Sequence, residues 1–327
     1  MSSTKSIASL SISGEITLNL HALNNEGGEG NQIITRQVTI IDKHGQQHTV
    51  NAISGDMFKH IHVGHLINIS KEKDLVLCSN CQVFNPNRLS SGEDLGKRFT
   101  KEDYSDKDVV DALIELCVVD DSHGVLVTKI GSKNKNVPRK SVVEFGWTVG
   151  VPDKNNTESY IHTKLVPDAG SKASGGGNNE GQNIFHRPAN HGVYAFVCHI
   201  EVYRLGFNDI SRDYAVNEAD RTNRYKAVIQ SLLNSFLNPR GAMTSTQKPH
   251  ITDFKGIVSI SKKLTPAPMI SALNENYEQE IITIAGNLNA MESDMIEVKS
   301  FEGLGALSGI MKDLIDYVPY SVPTKSL

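Results

Sequence analysis

Across residues 7–21 apolar and polar positions alternate. Ala8, Leu10, Ile12, Ile16, Leu18 and Leu20 fall on one side, and Ser9, Ser11, Ser13, Glu15, Thr17, Asn19 and His21 on the other. A period of two sustained over that length predicts a β-strand with one buried and one solvated face. A polar loop, LNNEGGEGNQ, follows. Two extended runs, 33–41 and 47–53, then flank the turn sequence DKHG and predict a β-hairpin. At Ser54-Gly55-Asp56 the period lengthens: Phe58, Ile61, His65, Leu66 and Ile69 recur on one helical face, with Ser54 in the capping position.

Residues 75–150 change character. They contain a CxxC, the loop FNPNRLSSGED, and an acidic amphipathic helix opening at Ser105, with Asp108 completing a capping box. Val109, Val110, Leu113, Ile114 and Cys117 form the buried stripe of that helix. A basic loop over 129–140 holds five Lys/Arg and no acid. Residues 167–183 are so rich in Gly, Ser and Asn that they predict a mobile hairpin tip, with 160–166 and 184–187 pairing as a projecting arm. A largely buried strand is expected over 192–205, a long helix over 217–237 ended by Asn238-Pro239, and a further strand over 256–260. Strand and helix units split by a long insertion suit an α+β fold of ferredoxin-like or RRM type. No internal repeat is visible.

Composition narrows this picture little. The 327 residues, 39% apolar and 21% charged, are enough for a substantial core without disulfides. The formal charge of −4 gives nucleic-acid binding no global support. The distribution is more telling: residues 204–263 hold ten Lys/Arg and five acids, whereas 264–327 hold three and nine. Four cysteines and a start without an apolar leader predict a reducing, cytoplasmic setting, and no run approaches the roughly 20 apolar residues of a membrane span. The sequence carries no GxxxxGK[ST], GxSxG or HExxH, no helix follows GSKASGGG, and no two histidines are placed together with a lysine. An enzyme is therefore not expected. Cys78, Cys81, Cys117 and His123 are ligand types of a zinc site, but their spacing fits no standard finger, so reduced thiols and no cofactor are the expectation.

Four ordered segments carry a family resemblance: SISGEITLNLHALNNEGGEGN, ISGDMFKH, GVYAFVCHIEVYRLG, and GAMTSTQKPH with PAPMIS downstream. Together they resemble the DevR-type backbone subunit of type I CRISPR Cascade complexes. The resemblance implies an RRM/ferredoxin-like palm with an antiparallel sheet (1–74 and 188–300), a helical fingers insertion (75–150), a β-hairpin thumb (151–187) and a C-terminal tail (301–327). It also implies a non-enzymatic protein that polymerises along crRNA. Its partners would be crRNA, the target DNA strand, further copies of itself and other Cascade subunits, with no membrane. The alternative is a DNA-binding transcriptional autoregulator, for which the sequence shows no helix-turn-helix.

A coat on a guide of arbitrary sequence must grip phosphate and sugar and leave base edges free. Asn19, Asn24 and Asn31 lie on or just beyond the solvated face of the first strand, with Arg36 on the hairpin; the bland reading is that the asparagines shape turns. Ser54, Lys59 and His60 stand at a helix N-terminus, where free N–H groups and the dipole favour phosphate, or where they simply cap and solvate a helix. Arg240, Gly241, Met243, Thr244, Lys248 and His250 form a loop resembling the one that crosses the guide; Met243 is as readily core filler. In the thumb, Phe185, His186 and Arg187 would stack on a base, or Phe185 would pack under the hairpin. Lys129, Lys133, Lys135, Arg139 and Lys140 would meet target DNA, although a charge run is usually a solvated face.

Overall fold

The alternating segment near the start becomes β1 (Ser9–His21), and the hairpin follows as β2 (Gln37–Ile41) and β3 (Gln47–Ile53). Helix α1 (Gly55–Glu72) is capped by Ser54, whose hydroxyl accepts the Met57 N–H. The structure is a computed structural model and describes residues 5–24, 27–29, 32–90, 93–100, 103–165 and 182–323. The insertion holds α2 (Ser79–Gln82), α3 (Glu93–Arg98), α4 (Asp106–Leu116), α5 (Val118–His123), the pair β4 (Val125–Ile130) and β5 (Lys133–Arg139), and β6 (Val143–Phe145). Two long strands come next, β7 (Thr148–Leu165) and β8 (Gln182–Ile200), then α6 (Glu218–Leu237), β9 (His250–Ser261), α7 (Tyr277–Met291), β10 (Ile296–Glu302) and α8 (Gly303–Leu314).

The main sheet is antiparallel along the order β10–β9–β1–β8–β7–β3–β2, with β6 added to β8. Leu10, Ile12, Ile16, Leu18, Tyr194, Phe196, Phe254, Val258 and Phe301 fill one face, which α1, α6 and α8 cover. The insertion has no separate interior: Leu77, Val109, Leu113, Val119 and Val137 belong to the same cluster. Ser105 and Asp108 cap α4 reciprocally, as its sequence predicts. The segment set apart as a C-terminal tail is built into that core through Leu307, Ile310, Met311 and Leu314, and its backbone pairs with Ser6 and Ile7.

The opposite face corrects one expectation. Ser9, Ser11 and Ser13 are buried rather than solvated. Ser9 and Ser11 donate to the carbonyls of Thr265 and Ala267, and α7 packs Tyr277 and Ile281 against Ala195 and Ile257. Serine at these positions reads as an exposed face because a hydroxyl suits water, but it also suits a covering strand-like segment that offers carbonyls. On this face Glu15, Thr17 and Asn19, further along β1, keep partial exposure, and Leu20, expected on the buried side, is exposed instead, where the backbone turns to a positive φ of 54°. The basic stretch over 129–140 is likewise a hairpin and not a loop.

Candidate nucleic-acid interface

Beyond the sheet, β7 and β8 continue together as an arm, whose tip over 166–181 lies outside the described residues. The register sets Tyr160 opposite Arg187 and His162 opposite Phe185, which places these four side chains on one face and Ile161 and His186 on the other. The Phe185 ring lies nearly parallel to His162, centroids 5.6 Å apart, and the Arg187 guanidinium sits 4.8 Å from the Phe185 ring centre. Phe185 is thus layered between a ring and a cation. Reading the sequence alone finds Phe185, His186 and Arg187 but misses His162 and Tyr160, because their pairing depends on a register that the long tip sequence hides.

Arg187 ties this arm to the loop that follows α6. Its Nη1 donates to Thr246 Oγ1 at 3.1 Å, and Gln247 Nε2 donates to the Pro188 carbonyl at 2.9 Å. In that loop Arg240, Lys248 and His250 are exposed, while Met243 and Thr244 are half-buried. Lys248 also reaches the Asn238 side chain. Asn19 lies alongside, its backbone paired with His250 and its amide donating to Thr252 Oγ1 at 3.4 Å. Burial first, then the charges of Arg240 and Lys248, hold His65 below its usual range, consistent with both cations facing this edge.

Two residues in this region have structural duties. A Cβ on Gly241 would lie 2.6 Å from the Leu23 carbonyl oxygen, and Ala242 N–H donates to that oxygen. The glycine therefore admits the chain's own backbone, not a ligand. Asn24 bridges the loop after β1 to the start of α1, donating to the Ala52 carbonyl and accepting from Ser54 N–H. Both ends of its amide are used internally, so it shapes the turn. Asn31 lies outside the described residues.

At the start of α1, Lys59 is half-buried and His60 exposed, the latter edge-on to Phe84 at 5.2 Å. Burial, with Arg88 nearby, lowers the Lys59 pKa, while Asp56 and Glu144 oppose that shift. This corner carries both signs of charge, unlike the loop after α6. Arg36 stacks its guanidinium 5.1 Å from the Trp147 ring centre.

The charge run of the insertion divides. Arg139 is buried and bonded to Asp121, Asp209 and the carbonyls of Phe207 and Arg204, which removes it from any DNA contact. Lys135 pairs with Asp106 and Lys140 with Glu144; Lys129, Lys133 and Lys140 are all exposed on or beside the hairpin. The positive excess over 204–263 is also partly internal: Arg204 and Arg224 are buried in ion pairs, Arg221 is buried against backbone carbonyls, and Lys255, Lys262 and Lys263 pair with acids. Arg240 and Lys248 are exposed together on the loop after α6, while the exposed Arg212 lies 5.5 Å from the Phe207 ring centre.

The fold does bring two histidines together. His62 Nε2 donates to the Val228 carbonyl, so its Nδ1 must accept from His123 Nε2 at 2.8 Å when both rings are neutral. Burial drives the His62 pKa down to about 4 and holds His123 well below its ordinary value. At 0% and 1% exposure neither ring is open to a substrate. His123 does not join the cysteines, which gather instead around Asp120.

A family model described as CRISPR-associated negative auto-regulator DevR/Csa2 matches residues 12–281. The chain belongs to that family. A protein of Methanocaldococcus jannaschii described as CRISPR-associated protein Cas7/Cst2/DevR is 26% identical over 281 residues, covering 82% of this chain and 85% of that one. Among solved structures, a chain of a CRISPR RNA-guided surveillance complex, pre-nicking, is 12% identical, with 96% of both chains covered and a TM-score of 0.47. A second, from a CRISPR RNA-guided surveillance complex, is also 12% identical, with 94% of this chain and 98% of that chain covered and a TM-score of 0.46. The arm, the loop after α6 and the start of α1 all fall within the DevR/Csa2 match, whereas α8 lies beyond it. No helix among the described residues of this DevR/Csa2 protein is long and apolar enough to cross a membrane.

Proposed function

We propose that this chain is a non-enzymatic Cascade backbone subunit that lies along crRNA, one copy beside the next, and holds the guide for pairing with a target DNA strand. In this reading β1, α1, β8, α6 and β9 make the ferredoxin-like palm of 1–74 and 188–300, and the base of β7, the strand that runs on into the thumb, completes its order β9–β1–β8–β7. The arm is the thumb (151–187) and the insertion the fingers (75–150). The observation that carries the reading is the layered His162–Phe185–Arg187 stack, joined through Thr246 to a loop exposing Arg240, Lys248 and His250. A stacking surface beside cations binds a single strand without reading its sequence, because every base has a π-face and every nucleotide a phosphate.

Asn19, Thr244, Met243, Lys59, His60, His186 and Arg36 flank that core of contacts; Lys129 and Lys133 are the insertion's candidates for target DNA. The family's description as a negative auto-regulator supports a second reading, tight binding of one duplex operator. One experiment separates the two: co-expression with a CRISPR array and its processing subunit, purification, and sizing of the bound RNA. Repeat-derived RNA in a large particle that falls to monomers when the RNA is digested supports the backbone reading. RNA-free protein that binds a single duplex tightly refutes it.

A further inference from the structure

Cys78, Cys81, Cys117 and Asp120 arrive from separate parts of the insertion: the CxxC that opens α2, the residue between α4 and α5, and the first turn of α5. One ligand atom from each lies within 4.8 Å of all the others, and all four residues are buried. The cysteines are free. Thiols alone would pass as small apolar filler, but a carboxylate in their midst would not. Asp120 is 0% exposed; its Oδ2 receives the thiols of Cys78 at 3.6 Å and Cys81 at 3.9 Å, and its Oδ1 has no partner among the described residues.

The neighbouring residue shows what this fold does with a buried carboxylate that must stay charged. Asp121, equally buried, is held by Arg139, Arg224 and the Gly206 N–H. Asp120 has no ion pair among the described residues, and a buried acid without a counter-charge is costly. The backbone around the CxxC is also strained: Phe84 and Arg88 hold positive φ of 57° and 52°, next to an α2 of four residues. Non-glycine residues persist there only when their surroundings over-determine them.

We propose that Cys78, Cys81, Cys117 and Asp120 bind one structural zinc ion, as two pairs with the same spacing, Cys78-x-x-Cys81 and Cys117-x-x-Asp120. A tetrahedral zinc with Zn–S of about 2.3 Å places its sulfurs about 3.8 Å apart, inside the 4.8 Å over which the four ligand atoms already gather, so that a small inward shift closes the site. An iron–sulfur cluster spreads its ligands over several metal atoms and needs a wider pocket. Three thiolates and a carboxylate select a soft, tetrahedral dication. Binding forms three Zn–S bonds and one Zn–O bond, and the thiol protons leave to solvent. Cys78 Sγ already accepts the Cys81 N–H at 3.4 Å, an arrangement that favours thiolate.

The ion would fasten the 74–90 segment to the α4–α5 junction. That segment carries Phe84 and Arg88, which line a cleft with Cys81, Lys59 and His60. The metal would therefore set the shape of the surface beside the start of α1. His123 is not among the ligand atoms that gather there.

Elemental analysis of the full chain, purified without added metal or chelator, is expected to find about one zinc per molecule. Replacement by cobalt is expected to give the intense visible bands of a tetrahedral thiolate site. Cys81→Ser and Cys117→Ser should lose the metal, and Asp120→Asn should release it to a competing chelator at much lower chelator concentration. His123→Asn and Cys198→Ser should keep it. Because the cysteine variants can fail to fold, X-ray absorption at the zinc edge of the unaltered protein provides a separate test, with three sulfurs and one lighter atom expected. Zinc-free protein with unchanged thermal stability in chelator, iron with acid-labile sulfide, a Cys78–Cys81 disulfide, or zinc lost from His123→Asn but retained in Asp120→Asn would each overturn the assignment.

Discussion

Phe185 and Arg187 occupy one face of the arm yet should fail in different ways. Phe185→Ala removes the middle of the layer formed with His162 and Arg187. Base–aromatic stacking is worth about 1–3 kcal/mol. Since His162 already covers part of Phe185, the lower part of that range applies, about 1–2 kcal/mol, or roughly 5- to 30-fold in Kd. Arg187→Gln removes one phosphate-neutralising charge, which should lower the slope of log K against log salt by about 0.7. Between about 50 and about 200 mM salt, the deficit of Arg187→Gln should then shrink roughly 2.5-fold, whereas that of Phe185→Ala should stay constant.

Thr246→Val serves as the control. It breaks the 3.1 Å contact to Arg187 but keeps the charge, so its salt slope should match that of the unaltered protein. Fluorescence anisotropy with labelled single-stranded repeat RNA, titrated at several salt concentrations, reads all three. Unchanged affinity in both Phe185→Ala and Arg187→Gln, or an equal change of slope in the two, would refute the argument that the arm stacks on a base and grips a phosphate.

Asp121→Asn should lower the unfolding free energy by about 3–5 kcal/mol, because it strands the buried Arg224 and weakens Arg139; a shift in the urea midpoint worth under about 1 kcal/mol would count against that buried network. Stability should also fall on acidification. His62 is neutral in the fold with its pKa lowered from 6.5 to about 4, so its contribution is complete above about pH 6.5 and is lost as pH falls towards 4, on the order of 3 kcal/mol in all. His62→Gln should flatten the dependence over that window, and an unaltered fall would exclude His62 as its source. Gly241→Ala should cost about 1–3 kcal/mol by forcing the loop off Leu23, with weaker RNA binding as the loop moves; thermal melting and anisotropy on the same samples check both.

Local pattern alone made β1, the β2–β3 hairpin, the Ser54 and Ser105 caps and α6 legible, since each depends on residues within a few positions of one another or on a single period. The candidate site was legible in part for the same reason: Phe185, Arg187, Arg240 and Lys248 stand out by residue type. What covers a face depends on residues far along the chain, and only the tertiary structure decided it. Ser9 and Ser11 look solvated until Thr265 and Ala267, 256 positions away, supply carbonyls to them. Arg139 looks like a basic-loop cation until Asp121 and Asp209 surround it. His162 joins Phe185 only through strand register, and Asp120, not His123, joins the cysteines because the fold of α4 and α5 brings its carboxylate to them while His123 Nε2 bonds His62. A side chain's period and chemistry are written locally, but its burial, its partners and therefore its charge are set by which distant segments the fold lays against it.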